Sequence, residues 1–115
     1  MLIRSQNKAI LLNFSNLTVA YIVKDDGGFV ILSLENENRY RLGKYSSEAK
    51  AMKVLDMIQE AYEEYKITCT FLTGFTGHRA IVESNDIHVD GFEELVKKFK
   101  KNMVFQMPED GSVEV

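Results

Sequence analysis

The sequence predicts an α+β domain: an antiparallel meander sheet with one long helix packed on a face, followed by a short second helix and a final strand. Three observations carry that expectation. Leu17, Val19, Tyr21 and Val23 alternate with Thr18, Ala20 and Ile22, the two-residue period of a strand. Asp25-Asp26-Gly27-Gly28 follows at once, and Asp-Gly and Gly-Gly pairs tolerate the positive φ that tight hairpins need. Further on, Ala51, Leu55, Ile58, Tyr62 and Tyr65 recur at four–three–four–three spacing, the apolar stripe of a helix.

Taken in order, residues 2–6 form a candidate strand, Asn7-Lys8 a turn, and residues 9–14 a second apolar stretch. Asn13 and Asn16 punctuate the loop that follows. Residues 17–23 and 29–34 are the arms of the hairpin. The second arm is apolar on both faces, which predicts a central strand. Glu35-Asn36-Glu37-Asn38 turns the chain into residues 39–44. There Tyr40 and Leu42 face one way and Arg39 and Arg41 the other, so one face is solvated. Ser46 or Ser47 caps the helix, which runs to about Tyr65, with Met52, Val54 and Ala61 widening its stripe. Ile67, Cys69 and Phe71 alternate with residues that include two threonines, which predicts a strand over 67–72. Gly74 and Gly77 make 73–78 a loop, and short strands at 80–83 and 87–89 flank Ser84-Asn85-Asp86. Asp90 with Glu93 resembles a capping box. It opens a short helix whose apolar face is Phe92, Leu95, Val96 and Phe99. Asn102 stops that helix, residues 103–107 form the last strand, and Pro108 ends it. The remainder, 108–115, reads as a loose acidic tail.

One domain over residues 1–115 accommodates all of this. A chain of that length buries roughly two-thirds of its unfolded surface, enough to fold without a disulfide or metal. The single cysteine, Cys69, has no internal partner, which fits a reducing compartment. No apolar run approaches the roughly 20 residues that span a bilayer. Residues 1–6 lack the apolar core of a signal peptide, so a cytoplasmic location is expected. The net charge is −3, unevenly spread. Residues 1–58 hold eight Lys/Arg against six Asp/Glu, and residues 59–115 hold six against eleven. A nucleic-acid binder usually carries a basic excess, and this chain has none overall.

Motifs that carry chemistry are scarce. His78 and His88 have no ligand partner at a metal-binding spacing, and Cys69 lies outside any Cys-x-x-Cys pair. A reactive thiol needs a base and an electropositive setting, whereas alternation in an apolar strand implies a buried, inert one. Gly74-Phe75-Thr76-Gly77-His78-Arg79 has two glycines that would turn N–H groups toward an anion, but no Walker lysine and no Rossmann spacing. A non-enzymatic chain without a cofactor or metal is therefore expected.

Two surfaces stand out as contacts. Asp56, Glu60, Glu63 and Glu64 crowd the end of the first helix. Carboxylates there oppose the helix dipole and repel one another, at a few tenths of a kcal/mol per pair. Phe75, at the tip of the 73–78 loop with Arg79 nearby, offers an aromatic anchor. These six residues form a candidate contact with a basic protein partner. The alternative is a nucleic-acid contact through Lys97, Lys98, Lys100 and Lys101 of the second helix with Arg39 and Arg41. The same lysines would also neutralise the carboxylates of the first helix within the monomer.

Three stretches carry a resemblance: Ile3-Arg4-Ser5-Gln6-Asn7-Lys8; Leu42-Gly43-Lys44-Tyr45-Ser46-Ser47-Glu48-Ala49 continuing to Val54-Leu55-Asp56-Met57-Ile58; and Val104-Phe105-Gln106-Met107-Pro108-Glu109. Together they resemble a group of small uncharacterised proteins of Firmicutes genomes, their phages and mobile elements. The likeness covers roughly residues 1–66 and 103–110 and brings no catalytic residues with it. It implies a shared origin and fold, not an activity. The function expected is a non-enzymatic protein-binding module, such as a phage-type accessory protein or an inhibitor of a host system; the phage setting adds an anti-CRISPR-like inhibitor as one form.

Chemical silence is testable directly. Cys69→Ser, and His78→Ala with His88→Ala, should leave partner binding unchanged wherever the fold survives. A transition metal that copurifies, and is lost with either histidine, would contradict this.

Overall fold

The computed structural model describes the backbone of residues 1–82 and 92–115, and the side chains of these residues apart from 71–82, Phe92 and Leu95. Among the described residues, six strands and two α-helices follow in the order β1 (Leu2–Arg4), β2 (Leu11–Asn13), β3 (Val19–Asp25), β4 (Gly28–Glu35), β5 (Asn38–Tyr45), α1 (Glu48–Val82), α2 (Phe92–Asn102) and β6 (Val104–Gln106). The α+β class holds, with the β3-β4-β5 meander, the long helix packed on it and the final strand.

Local chemistry explains the meander. Gly27 takes φ +85° in the first hairpin, where Asp25 pairs with Gly28. Asn36 takes φ 56° in the second, where Glu35 pairs with Asn38. β4 is central, as its two-sided apolarity predicts. A bulge between Ile31 and Leu32 admits Leu42 as an extra residue of β5, and that side chain is buried in the core.

The strands before the meander form a sheet of their own. β1 and β2 pair antiparallel across a turn in which Asn7 accepts hydrogen bonds from the Ser5 hydroxyl and the Ala9 N–H. β1 then pairs parallel with β6, Leu2 opposite Val104. The expected single meander over residues 1–45 is thus two three-stranded sheets, β2-β1-β6 and β3-β4-β5. Short strands bury little surface by themselves, and β1 gains a second neighbour only by recruiting the far end of the chain.

α1 begins at Ser47, whose hydroxyl accepts the Lys50 N–H at 3.2 Å. Its inward face runs Ala51, Val54, Ile58, Ala61, Tyr65 and on to Thr68, which is 3% exposed. Met52, expected on the stripe, is 49% exposed. The helix does not stop at Tyr65. Residues 67–72, expected as a strand, and 73–78, expected as a loop, are helical, as are 80–82. The four–three spacing continues through Thr68 while Ile67 points outward at 70% exposure, so helical packing overrides the β-propensity of Ile and Thr. Tyr65 also stacks on Phe99 of α2, with ring centroids 5.8 Å apart. The expected strand at 87–89, His88 and the Asp90 cap lie outside the described residues.

At 35 residues α1 is about 52 Å long. The molecule extends 60 Å along its longest axis, and its radius of gyration is 17.6 Å. A compact chain of this length would have about 13 Å, so the distal half of α1 projects beyond the sheets.

The core joins both sheets to α1 through Ile3, Leu12, Ile31, Leu42, Tyr45, Val54, Ile58 and Met107. The closing segment, expected to be loose, is packed. A 3-10 turn at Asp110–Ser112 leads to Val113, which is 5% exposed within the core.

Gln6 joins the sheets. Its N–H donates to the Leu42 carbonyl at 2.7 Å. Its side chain accepts the Lys44 N–H at 2.9 Å and donates to the Lys44 and Pro108 carbonyls at 3.2 and 3.1 Å. Gln6→Ala leaves the part-buried Lys44 N–H without its acceptor, which should cost about 1–3 kcal/mol. The urea midpoint of unfolding should fall accordingly, at unchanged slope.

Candidate functional site

Strand alternation gives the β3-β4-β5 sheet two faces. Phe29, Ile31, Ile22 and Tyr40 point toward α1 and the core. The opposite, outer face is set by register. Val23, Val30 and Lys44 form one cross-strand row, Tyr21, Leu32 and Arg41 the next, and Val19, Leu34 and Arg39 the third. Each row reads apolar, apolar, cationic. None of the six apolar residues joins the main core cluster, although Val30 is itself buried at 5% exposure. Val19 and Val23, on the edge strand, are 42% and 38% exposed. Arg39 and Arg41 are exposed and Lys44 is half-buried, its ammonium donating to the Asp26 carbonyl at 2.9 Å. The face thus sets partly exposed apolar side chains beside a line of positive charge.

The acidic cluster takes a different setting from the expected one. Asp56, Glu60, Glu63 and Glu64 are all exposed on α1. Because α1 continues to Val82, they sit mid-helix, far from the C-terminal end of the dipole, which acts only within the last turn. The conflict with the helix dipole therefore disappears, and only the mutual repulsion of the i,i+4 pairs Asp56/Glu60 and Glu60/Glu64 remains. Gln59 donates to Glu63 at 3.2 Å, and Lys98 of α2 lies 3.3 Å from Glu64. That pair is about half-exposed on both sides, worth at most about 1 kcal/mol. Phe75 and Arg79 lie on the helical backbone rather than at a loop tip.

The two halves of the basic set are not brought together. Lys97, Lys98, Lys100 and Lys101 are exposed on α2, which packs against α1. Arg39 and Arg41 lie on the sheet face turned away from α1.

Cys69 is half-buried on α1 rather than buried in a strand. Among the described residues no three His, Cys, Asp or Glu side chains gather as a metal site, and no helix is long and apolar enough to cross a membrane. A cavity of about 530 Å³ opens between β3, β4 and α1, lined by Ile22, Phe29, Met52 and Leu55 together with Lys24 and Glu48.

Two titratable groups mark the junction between the end of β5 and the closing segment. Burial, and then the charges of Glu109 and Asp110, push the Tyr45 phenol upward; it stays protonated and donates to the Pro108 carbonyl at 2.8 Å. The Ser46 N–H, donating to Asp110 at 2.8 Å, is the main cause holding that carboxyl below its ordinary value of 3.8. The Ser46 hydroxyl at 3.1 Å and Lys50 at 3.7 Å add to it. These groups hold the start of α1 and serve structure.

The sequence singled out Arg39 and Arg41 but not their row partners, nor Lys44. The alternation of β3 was visible; which residues share a row depends on register and on the bulge at Leu42, which no local pattern announces.

No protein-family model matches the chain, and neither a curated protein nor a solved structure matches it.

A carboxyl whose pKa is lowered by folding stabilises above its unfolded pKa, and that contribution is lost as the pH falls. Asp110→Asn should therefore lower the melting temperature at neutral pH. The gap between variant and wild type should close as the pH drops below 3.8. Thermal melts across an acid series read this out.

Proposed function

We propose that this chain is a non-enzymatic protein-binding module, acting as a phage or mobile-element accessory protein or as an inhibitor of a host system, an anti-CRISPR-like inhibitor being one form. The observation that carries the reading is the outer face of the β3-β4-β5 sheet, with its three apolar–apolar–cationic rows. Apolar surface rimmed by charge favours a protein partner, whose own apolar side chains would remove those rows from water. The resemblance to small Firmicutes and phage proteins supports the biological setting.

A second reading, nucleic-acid association through Lys97, Lys98, Lys100 and Lys101 with Arg39 and Arg41, draws on the exposure of all six. Its two halves lie on different elements of the molecule, which weakens a single phosphate-tracking footprint. The acidic stripe of α1 remains a further candidate for a basic partner.

Affinity capture from nuclease-treated Firmicutes lysate tests the proposal. A specific protein should be retained by wild type and lost with Tyr21→Lys/Leu32→Lys, provided the variant keeps its helical signal and cooperative melting. Capture that is indifferent to this face, or that vanishes on nuclease treatment, would refute it.

A further inference from the structure

We propose that the outer face of the β3-β4-β5 sheet docks an acidic amphipathic helix of another protein. The inference rests on the protein-binding reading and adds the chemistry of the partner. The helix lays its apolar side on Val19, Tyr21 and Val23 of β3 and on Leu32 and Leu34 of β4, Val30 being buried beneath. Its carboxylates lie along Arg39, Arg41 and Lys44 of β5.

The charge order selects an anionic partner. All three cations stand on one strand, one per row, with no carboxylate among the rows. A neutral apolar partner would leave the two guanidinium groups unanswered at the edge of a dehydrated contact, whereas Lys44 already donates to the Asp26 carbonyl. A basic partner would be repelled. Arg39 and Arg41 are exposed, and their guanidinium groups present the fork that carboxylates match in two-point contact.

The dimensions suit a helix. Alternate residues of a strand lie about 6.7 Å apart, so the three rows span about 13 Å. A helix covers that distance in about nine residues, two and a half turns, presenting apolar side chains at i, i+4 and i+7 or i+8. Three strands are about 10 Å across from first to last, close to the diameter of a helix with its side chains. A helix resting over β4 would thus have one flank above the cations of β5 and the other above β3.

Two other occupants fit less well. Single-stranded nucleic acid favours aromatic platforms, and Tyr21 is the only ring in the rows. The aliphatic remainder would be covered by a charged backbone. A second copy placed face to face would bring both sets of cations into one interface.

The test uses the full chain and a designed probe. The probe is a fluorescein-labelled peptide of about 18 residues, with leucines in an i, i+3, i+4, i+7 stripe and glutamates on both flanks. Its partners are the same peptide with lysine for glutamate, and a thymidine homopolymer. Fluorescence anisotropy at low and at physiological salt gives the affinities. The glutamate peptide should bind at least about tenfold tighter than the lysine peptide, and more weakly as salt rises. Arg39→Glu/Arg41→Glu should reverse that preference, while Arg39→Lys/Arg41→Lys should keep it. Reversal, unlike simple loss, cannot come from unfolding. The inference fails if the glutamate peptide does not bind, if both peptides bind alike, or if the homopolymer binds more tightly than the peptide. It also fails if sedimentation shows a dimer that Leu32→Lys abolishes, because a second copy then fills the face. Should capture of a lysate protein depend on this face while the glutamate peptide fails to bind, the protein-binding reading stands and the acidic helix alone falls.

Discussion

Two three-stranded sheets of this size cannot each shield a core, and what makes them one structure is the crossing at Gln6. The chain leaves β1, and within two residues its backbone and side chain both satisfy the edge of β5. The primary amide can do this because it carries donor and acceptor together. Its reach to the Pro108 carbonyl ties the closing segment to the same point, where Tyr45 also donates. Everything inward of that crossing follows from it: Ile3 and Met107 from one sheet meet Ile31 and Leu42 from the other, and α1 closes over them. The crossing also makes the edges of the meander unequal. β5 has an amide laid along its margin, while among the described residues β3 pairs only with β4. Edge strands left open are where sheets meet other chains.

The meander and about the first five turns of α1 were legible because their signals are local. A Gly at a required left-handed position, strict alternation and a four–three stripe each speak for a few neighbouring residues. The failures share a cause too. Parallel pairing of β1 with β6 joins distant segments, and neither strand, at three residues, carries a pattern that names its partner. Ile67, Thr68 and Cys69 look like strand by composition, yet Thr68 turns inward as the next step of the helical stripe. The closing segment looked loose because its charges outnumber its apolar residues. A buried valine, the Asp110 carboxylate and the Pro108 carbonyl that accepts from Gln6 and Tyr45 hold it.

The proposed contact surface was half legible. Arg39 and Arg41 announced a solvated side of their strand, and β4 announced its centrality by being apolar on both faces. Treating those as two separate facts hid their sum. A central strand apolar on both faces, in a sheet with a helix on only one of them, leaves its second apolar face uncovered among the described residues. The acidic cluster shows the opposite error, since its apparent strain came from ending the helix too early.

The pairing of β1 with β6 has a consequence for how the molecule comes into being. Leu2 and Val104 are partners although about a hundred residues separate them, and closing so long a loop is entropically costly before any contact repays it. During synthesis β1 waits for its second neighbour until nearly the whole domain has emerged, whereas the β3-β4-β5 meander can assemble as soon as its own residues are free. The meander should therefore be the early, locally nucleated part of the fold. The small sheet, and the Gln106 amide that donates to the Ser5 carbonyl, should be its final latch.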